Sequence, residues 1–183
     1  MKRLPPEIVA SSLAVTTILI ALPHYHLPPW AIFISWAATF AMGGPTRENL
    51  GKIWPVMPIG SLFAFLIVVG FGMAARMTSG ALLTLCQMLI LFTLNASMMA
   101  LARLPGLGFI PGMFFGFASY FATIFGGFGP VPYDPVAALL AVIPMNALGP
   151  VYAWVKDRYS LPDSPPRTWR GWRGHGKISS GRG

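Results

Sequence analysis

Apolar residues run along this chain in six long blocks, separated by short clusters of proline, glycine and charge. A membrane helix needs about 20 mostly apolar residues. The blocks that meet this are residues 7–22, 29–43, 53–75, 79–101, 107–125 and 134–155. Pro23-His24-Tyr25-His26-Leu27-Pro28-Pro29 separates the first two, because proline stops helices and pre-sets turns. Gly43-Gly44-Pro45 and a polar loop over 46–52 close the second, which opens on Trp30 as an interfacial anchor. Arg76, then Arg103-Leu104-Pro105-Gly106, then Gly126-Gly127-Phe128-Gly129-Pro130 end the next three. The first block reads as an uncleaved helix, since no small-x-small cleavage site follows it. The expected fold is therefore all-α: a polytopic membrane protein of six transmembrane helices over 1–155, with a tail over 156–183.

Composition and charge strengthen this reading. Only 10% of the 183 residues are charged, against about 25% in soluble domains, and 55% are hydrophobic. A soluble domain of this size could not cover its surface, and a disordered chain needs low hydrophobicity. The single cysteine, Cys86, excludes a disulfide framework and a cysteine-based metal site. With six spans, Lys2, Arg3, Arg47, Lys52, Arg103 and every basic residue from Lys156 onward fall on one side. Only Arg76 of the 13 Lys and Arg falls on the other. The positive-inside rule then places both termini in the cytoplasm.

Between residues 53 and 155 the charged residues are Arg76, Arg103 and Asp134, all at span ends. Intramembrane charges mark proton relays, voltage sensors and charged-substrate paths, so their absence argues against those functions. No Ser-His-Asp or HExxH arrangement is present, so no enzyme, metal or cofactor is expected. The uncharged polar residues Gln87, Asn95 and Asn146, with Ser35, Thr39, Ser119 and Thr123, are candidates to line a path for a neutral solute. They are equally suited to bonding neighbouring helices, at about 0.6 kcal/mol each, and hydroxyls can turn back on their own helix.

The fifth block carries Gly108, Gly112 and Gly116 at four-residue intervals, with Pro111 beside them. Such glycines let another backbone approach closely, within a subunit or between two copies. A broken helix presenting backbone polar groups to a cavity is the functional alternative. The phenylalanines crowding this block could constrict a pore or face lipid. A further pattern links the second and fifth blocks. Ser35-Trp36-Ala37-Ala38-Thr39 through Gly43 and Ser119-Tyr120-Phe121-Ala122-Thr123 through Gly127 share S-[WY]-x-A-T-x-x-x-G. With six spans those blocks cross in opposite directions, which suggests a 3+3 inverted repeat.

The tail changes composition abruptly and cannot form a packed core. Arg167, Trp169, Arg170, Trp172 and Arg173 suit anionic headgroups. Arginine interleaved with tryptophan can also stack on nucleic-acid bases, but a tail this close to a membrane helix makes that the weaker expectation. A plain solvated, topology-fixing tail is the simplest reading.

Two stretches carry a family resemblance: Pro29-Trp30-Ala31-Ile32-Phe33 with Phe40-Ala41-Met42-Gly43-Gly44, and Phe109-Ile110-Pro111-Gly112 through Ala122. Together they resemble the YcdZ-like family of small bacterial inner-membrane proteins, a domain of unknown function, over roughly 8–155. The resemblance implies a multi-pass protein of the bacterial cytoplasmic membrane, and supplies no substrate and no site residues. The leading expectation is a passive permease for a small neutral or weakly charged solute. The alternative is a non-transporting scaffold acting through helix packing and the tail. The bilayer, anionic headgroups and a second copy of the chain are the expected partners.

Overall fold

The computed structural model describes residues 3–161, and its described residues form six α-helices. They are α1 (Pro6–Ile20), α2 (Pro29–Ala41), α3 (Arg47–Met77), α4 (Gly80–Leu101), α5 (Ile110–Phe125) and α6 (Pro135–Tyr159). Three of them, α3, α4 and α6, are long and apolar enough to cross a membrane; α1, α2 and α5 are shorter apolar helices. At 1.5 Å per residue the 13-residue α2 spans only about 20 Å.

The helix starts follow local chemistry. Pro occupies the first turn of α1, α2, α5 and α6, where its missing N–H costs nothing. The loop expected over 46–52 is instead the first turns of α3. Thr46 caps it by accepting from Asn49 N at 3.1 Å, and Lys52 pairs with Glu48 one turn apart. That pair is exposed and adds little stability, though the Lys52 ammonium holds the Glu48 carboxyl below its ordinary range. Asp134 caps α6 through Ala137 N at 2.7 Å, and α6 runs on to Tyr159, beyond the expected end at 155.

The short helices α2 and α5 sit inside the bundle. Each packs on a long neighbour running the same way: α5 on α3, α2 on α6. On the first pair Phe65 meets Tyr120 edge-on. On the second, Trp36 meets Tyr152, and Lys156 lies 5.0 Å over the Phe40 ring. Helix α4 rests on α3, and α1 rests on α6. Exchanging α1, α2 and α3 for α4, α5 and α6 leaves these pairings unchanged. It turns α2·α3 into α5·α6 and returns the central α2·α5 and α3·α6 crossings to themselves.

The buried stripes repeat in the same way. Ile53, Val56, Met57, Gly60, Ser61, Ala64 and Ile67 are buried on α3. Val142, Met145, Asn146, Gly149, Pro150, Ala153 and Lys156, at one constant offset, are buried on α6. Pro55 and Pro144 both stand five residues before the glycine of their stripe, Gly60 or Gly149. On α2, Ile32, Ser35, Trp36 and Thr39 are buried, as are Gly116, Ser119, Tyr120 and Thr123 on α5, while in packing Ile32 and Trp36 against Gly149 take the places of Met113 and Phe117 against Gly60.

The glycines of these stripes set the interhelix distance. A Cβ on Gly60 would lie 1.8 Å from the Met113 carbonyl oxygen, one on Gly116 2.0 Å from that of Met57, and one on Gly149 1.9 Å from Ser35 Oγ. Backbones are therefore in direct contact at both packed pairs. The ends of the described chain also meet. Leu4 N donates to Tyr159 O at 3.0 Å, and Leu161 N donates to Leu4 O at 2.8 Å.

Candidate functional site

The shared S-[WY]-x-A-T-x-x-x-G pattern has a structural role at its C-terminal end. Gly43 and Gly127 both take left-handed φ, +94° and +70°, just past their helices. Gly44 N donates to Thr39 O, and Phe128 N donates to Thr123 O, each at 3.0 Å. Gly43 N and Gly127 N close the inner bonds to Phe40 O and Ile124 O. Both helices thus end in the same glycine-dependent cap, which satisfies carbonyls that would otherwise be bare.

Polar residues are buried along the inner helices α2, α3, α5 and α6. Ser35, Thr39, Ser61, Ser119, Thr123 and Asn146 are all at most 2% exposed. Several turn back on their own helix. Ser35 Oγ donates to Ala31 O at 2.9 Å, Thr39 Oγ1 to Ser35 O at 2.8 Å and Thr123 Oγ1 to Ser119 O at 2.7 Å. Ser61 instead bonds across helices: its hydroxyl donates to Gly116 O at 2.9 Å, and its oxygen accepts from Asn146 Nδ2 at 3.4 Å. This chain ties α6 to α3 and α3 to α5. Ser35 joins the group through Gly149, one turn from Asn146.

Two polar atoms here are left over. Among the described residues, the buried side-chain nitrogen and oxygen atoms without a hydrogen-bond partner are Ser119 Oγ, Asn146 Oδ1 and the indole nitrogens of Trp30 and Trp36. An unpartnered buried polar atom costs about 1–3 kcal/mol. The two tryptophans pack among aromatic rings, Trp30 on Phe128 and Trp36 on Phe33, Phe40 and Tyr152. Ser119 on α5 and Asn146 on α6 are buried in the inner helices.

Ser35, Thr39, Ser119, Thr123 and Asn146 are thus all buried on the inner helices, and Asn146 is bonded across helices to Ser61, which is not among the candidates from the sequence. Its signal was the adjacent Gly60 at fixed spacing from Pro55. Gln87 and Asn95 are not brought to this site. They lie half-buried on α4, whose only buried residue is Met98, and Asn95 Nδ2 finds only Met99 Sδ at 3.9 Å. Pro111 and Gly112 do not break a helix: they open it, because α5 begins at Ile110. Gly108 precedes the helix, so the expected run of three glycines contributes two, Gly112 and Gly116. Arg167, Trp169, Arg170, Trp172 and Arg173 lie outside the described residues.

Two recesses open at the loop ends of the bundle. One of about 510 Å³ is lined by Arg3, Phe40, Gly43, Gly44, Lys156, Asp157, Ser160 and Leu161. Another of about 520 Å³ lies between the α2–α3 turn and the α4–α5 loop, with Asn49, Lys52, Gly108 and Phe109 on its walls. The pseudo-equivalent place, between the α1–α2 loop and the α5–α6 turn, is filled. There His26 stacks on Phe128, Trp30 meets the same ring, and Gly129 N donates to His26 O at 2.8 Å.

No curated protein and no solved structure matches the chain. Residues 8–160 match the family model described as a protein of unknown function, DUF1097, which covers all six helices but for the first residues of α1. With its apolar helical bundle, this chain belongs to the DUF1097 family.

Proposed function

We propose that the chain is a six-span bacterial inner-membrane protein built as two inverted three-helix halves, and that it acts as a passive or facilitative permease for a small neutral or weakly charged solute. The likeness to YcdZ-like inner-membrane proteins suits this membrane. The backbone pairing of Leu4 with Ser160 supports an even number of crossings. The charge bias then puts both ends in the cytoplasm. The exchange of halves that preserves every inner pairing supports the inverted repeat, an arrangement that recurs in transporters with their sites at the repeat interface.

The observation that carries the permease reading is the polar cluster at that interface. Ser61, Ser119 and Asn146 are buried among apolar helices, and two of their atoms lack partners. A cluster serving packing alone gains most when fully satisfied. A passing solute supplies the missing bonds in the permease. The recess beside Lys52 then serves as the cytoplasmic vestibule, and the His26–Phe128–Trp30 stack closes the opposite mouth. No step needs a nucleophile, an acid–base pair or a cofactor. The test is stopped-flow light scattering on proteoliposomes challenged with water, glycerol, urea, ammonia, formate and acetate. Selective acceleration of one solute over empty liposomes supports the reading.

Two observations favour the second reading, a membrane scaffold or accessory subunit. Ser35, Thr39 and Thr123 satisfy themselves within their own helices, and Gly60, Gly116 and Gly149 hold backbones in contact. In that reading the polar residues are glue and the tail carries the partner contact. Deleting 162–183 would then lose a partner without altering any permeability.

A further inference from the structure

The C-terminal end of α6 departs from the other half in a way that packing does not require. Along the buried stripes Lys156 on α6 stands where α3 carries Ile67, and both are buried. The residues that follow are Asp157 on α6 and Val68 on α3. An isoleucine fills the place in one half, so shape alone does not call for a charge in the other. Lysine is almost never buried without compensation. Lys156 is only 7% exposed; its ammonium lies 5.0 Å over the Phe40 ring, and its carbonyl accepts from Ser160 Oγ at 2.6 Å.

Lys156 forms part of the wall of the recess of about 510 Å³ at this end of the bundle. Arg3 joins it there from the N-terminal segment, which the backbone bonds of Leu4 to Tyr159 and Leu161 hold against the end of α6. Asp157 brings a carboxylate to the same recess, with Oδ2 3.9 Å from where a Cβ on Gly44 would stand. Gly43 N and Gly44 N already give their protons to Phe40 O and Thr39 O, so the charged side chains set the chemistry. Among the described residues the walls carry two cations and one anion. A lone anion meets Asp157 there, and a lone cation meets Arg3 and Lys156. A ligand matched to all three carries a negative group for the cations and an ammonium for the carboxylate.

The surroundings of the recess are those of a membrane surface. Trp154 and Tyr159 are exposed on the last turns of α6, and such aromatic rings sit at the headgroup level of a bilayer. From Phe40 on the recess wall, the rings of Trp36 and Phe33 follow one another along α2, with Phe33 and Phe40 exposed. This gives an acyl chain an apolar strip of about 10 Å. Resting on the membrane-spanning reading but not on the permease reading, we propose that the recess binds the headgroup of a bilayer phospholipid carrying a primary ammonium beside its phosphate, as in phosphatidylethanolamine. The phosphate lies against Arg3 and Lys156, and the ammonium donates to Asp157. Phosphatidylglycerol lacks the ammonium, and the quaternary nitrogen of phosphatidylcholine has no N–H to give to Asp157.

The test is native mass spectrometry of the full chain in detergent, titrated with phosphatidylethanolamine, phosphatidylglycerol and phosphatidylcholine of identical acyl chains, and with soluble O-phosphoethanolamine. One phosphatidylethanolamine per chain is expected to be retained about fivefold more strongly than either other lipid, the range of an exposed charge pair. Asp157→Asn should erase the preference over phosphatidylglycerol, and Arg3→Gln should weaken retention of phosphatidylethanolamine by a similar factor. Both residues are exposed, so neither change threatens the fold. Lys156→Ile, which borrows the residue of the other half, should abolish retention. Equal retention of the three lipids, or an Asp157→Asn protein with the wild-type preference, would overturn the inference and leave the permease reading standing. O-phosphoethanolamine held as strongly as the lipid would overturn the bilayer as the source of the ligand. A chain that stays monodisperse without detergent would remove the membrane reading and this inference with it.

Discussion

Adding a single methyl group at Gly60 would test whether backbone contact between α3 and α5 holds the bundle. In Gly60→Ala the new Cβ would sit 1.8 Å from Met113 O, 2.7 Å from its carbonyl carbon and 2.9 Å from Phe117 N. All three are backbone atoms inside a helix, so none can swing aside as a side chain would. A normal contact returns only if the helices part by about 1.5 Å. That separation strips dispersion contacts along the packed pair and stretches the Ser61–Gly116 bond, now 2.9 Å. Overpacking of a core typically costs 1–3 kcal/mol. With rigid atoms on both sides we expect about 3 kcal/mol, a fall of more than a hundredfold in the folded-to-unfolded ratio. Gly116→Ala approaches Met57 O equally closely and should cost the same. Gly72→Ala, on the same helix with nothing within 4 Å, is the control, and should be neutral or stabilising by up to about 1 kcal/mol. Tryptophan-fluorescence melts in detergent would show Gly60→Ala and Gly116→Ala unfolding roughly 5–10 °C below wild type. Midpoints for these two equal to that of Gly72→Ala would refute the claim that the backbones touch.

Three further outcomes follow from the geometry. Gly43→Ala, forced to hold φ +94° at the α2 cap, should lose about 1 kcal/mol in the same melts, and Gly43→Asn should recover part of it. Asn95→Ala should leave both midpoint and solute flux unchanged, because Asn95 lies on α4 away from the inner cluster; a lost flux would place α4 in the path. In the proposed six-span topology, reporter fusions at either terminus should both read cytoplasmic, and opposite readings would break that topology.

Much of this fold is written in proline and glycine. Pro29, Pro111 and Pro135 mark helix starts because the first turn needs no N–H, and Gly43 and Gly127 mark helix ends because the cap needs a left-handed residue. The same chemistry misleads when read one block at a time. Pro111 beside Gly112 suggests a break only if the helix is assumed to start at Leu107. The polar stretch over 46–52 suggests a loop because hydropathy is blind to the Thr46 cap and the Glu48–Lys52 pair. Burial was the least legible property. In lipid, an apolar helix need not show which face is inward, so Asn95 and Asn146 read alike although one lies half-buried on α4 and the other at the centre. The repeat could have told them apart. Pro55 with Gly60 and Pro144 with Gly149 set the register of α3 against α6, and Asn146 falls inside that frame while Asn95 falls outside it.

The most direct measurement is thiol labelling of single cysteines in a Cys86→Ala background, with a small membrane-impermeant reagent applied to the reconstituted protein. A path through the inner crossing predicts that Ser119→Cys and Thr123→Cys react. Leu89→Cys and Val15→Cys, on exposed apolar faces that the proposed topology gives to lipid, should stay unlabelled. Folded protein in which Ser119→Cys and Thr123→Cys are as inert as Leu89→Cys would contradict a path there, and would leave the polar cluster as the bond between two halves of a scaffold.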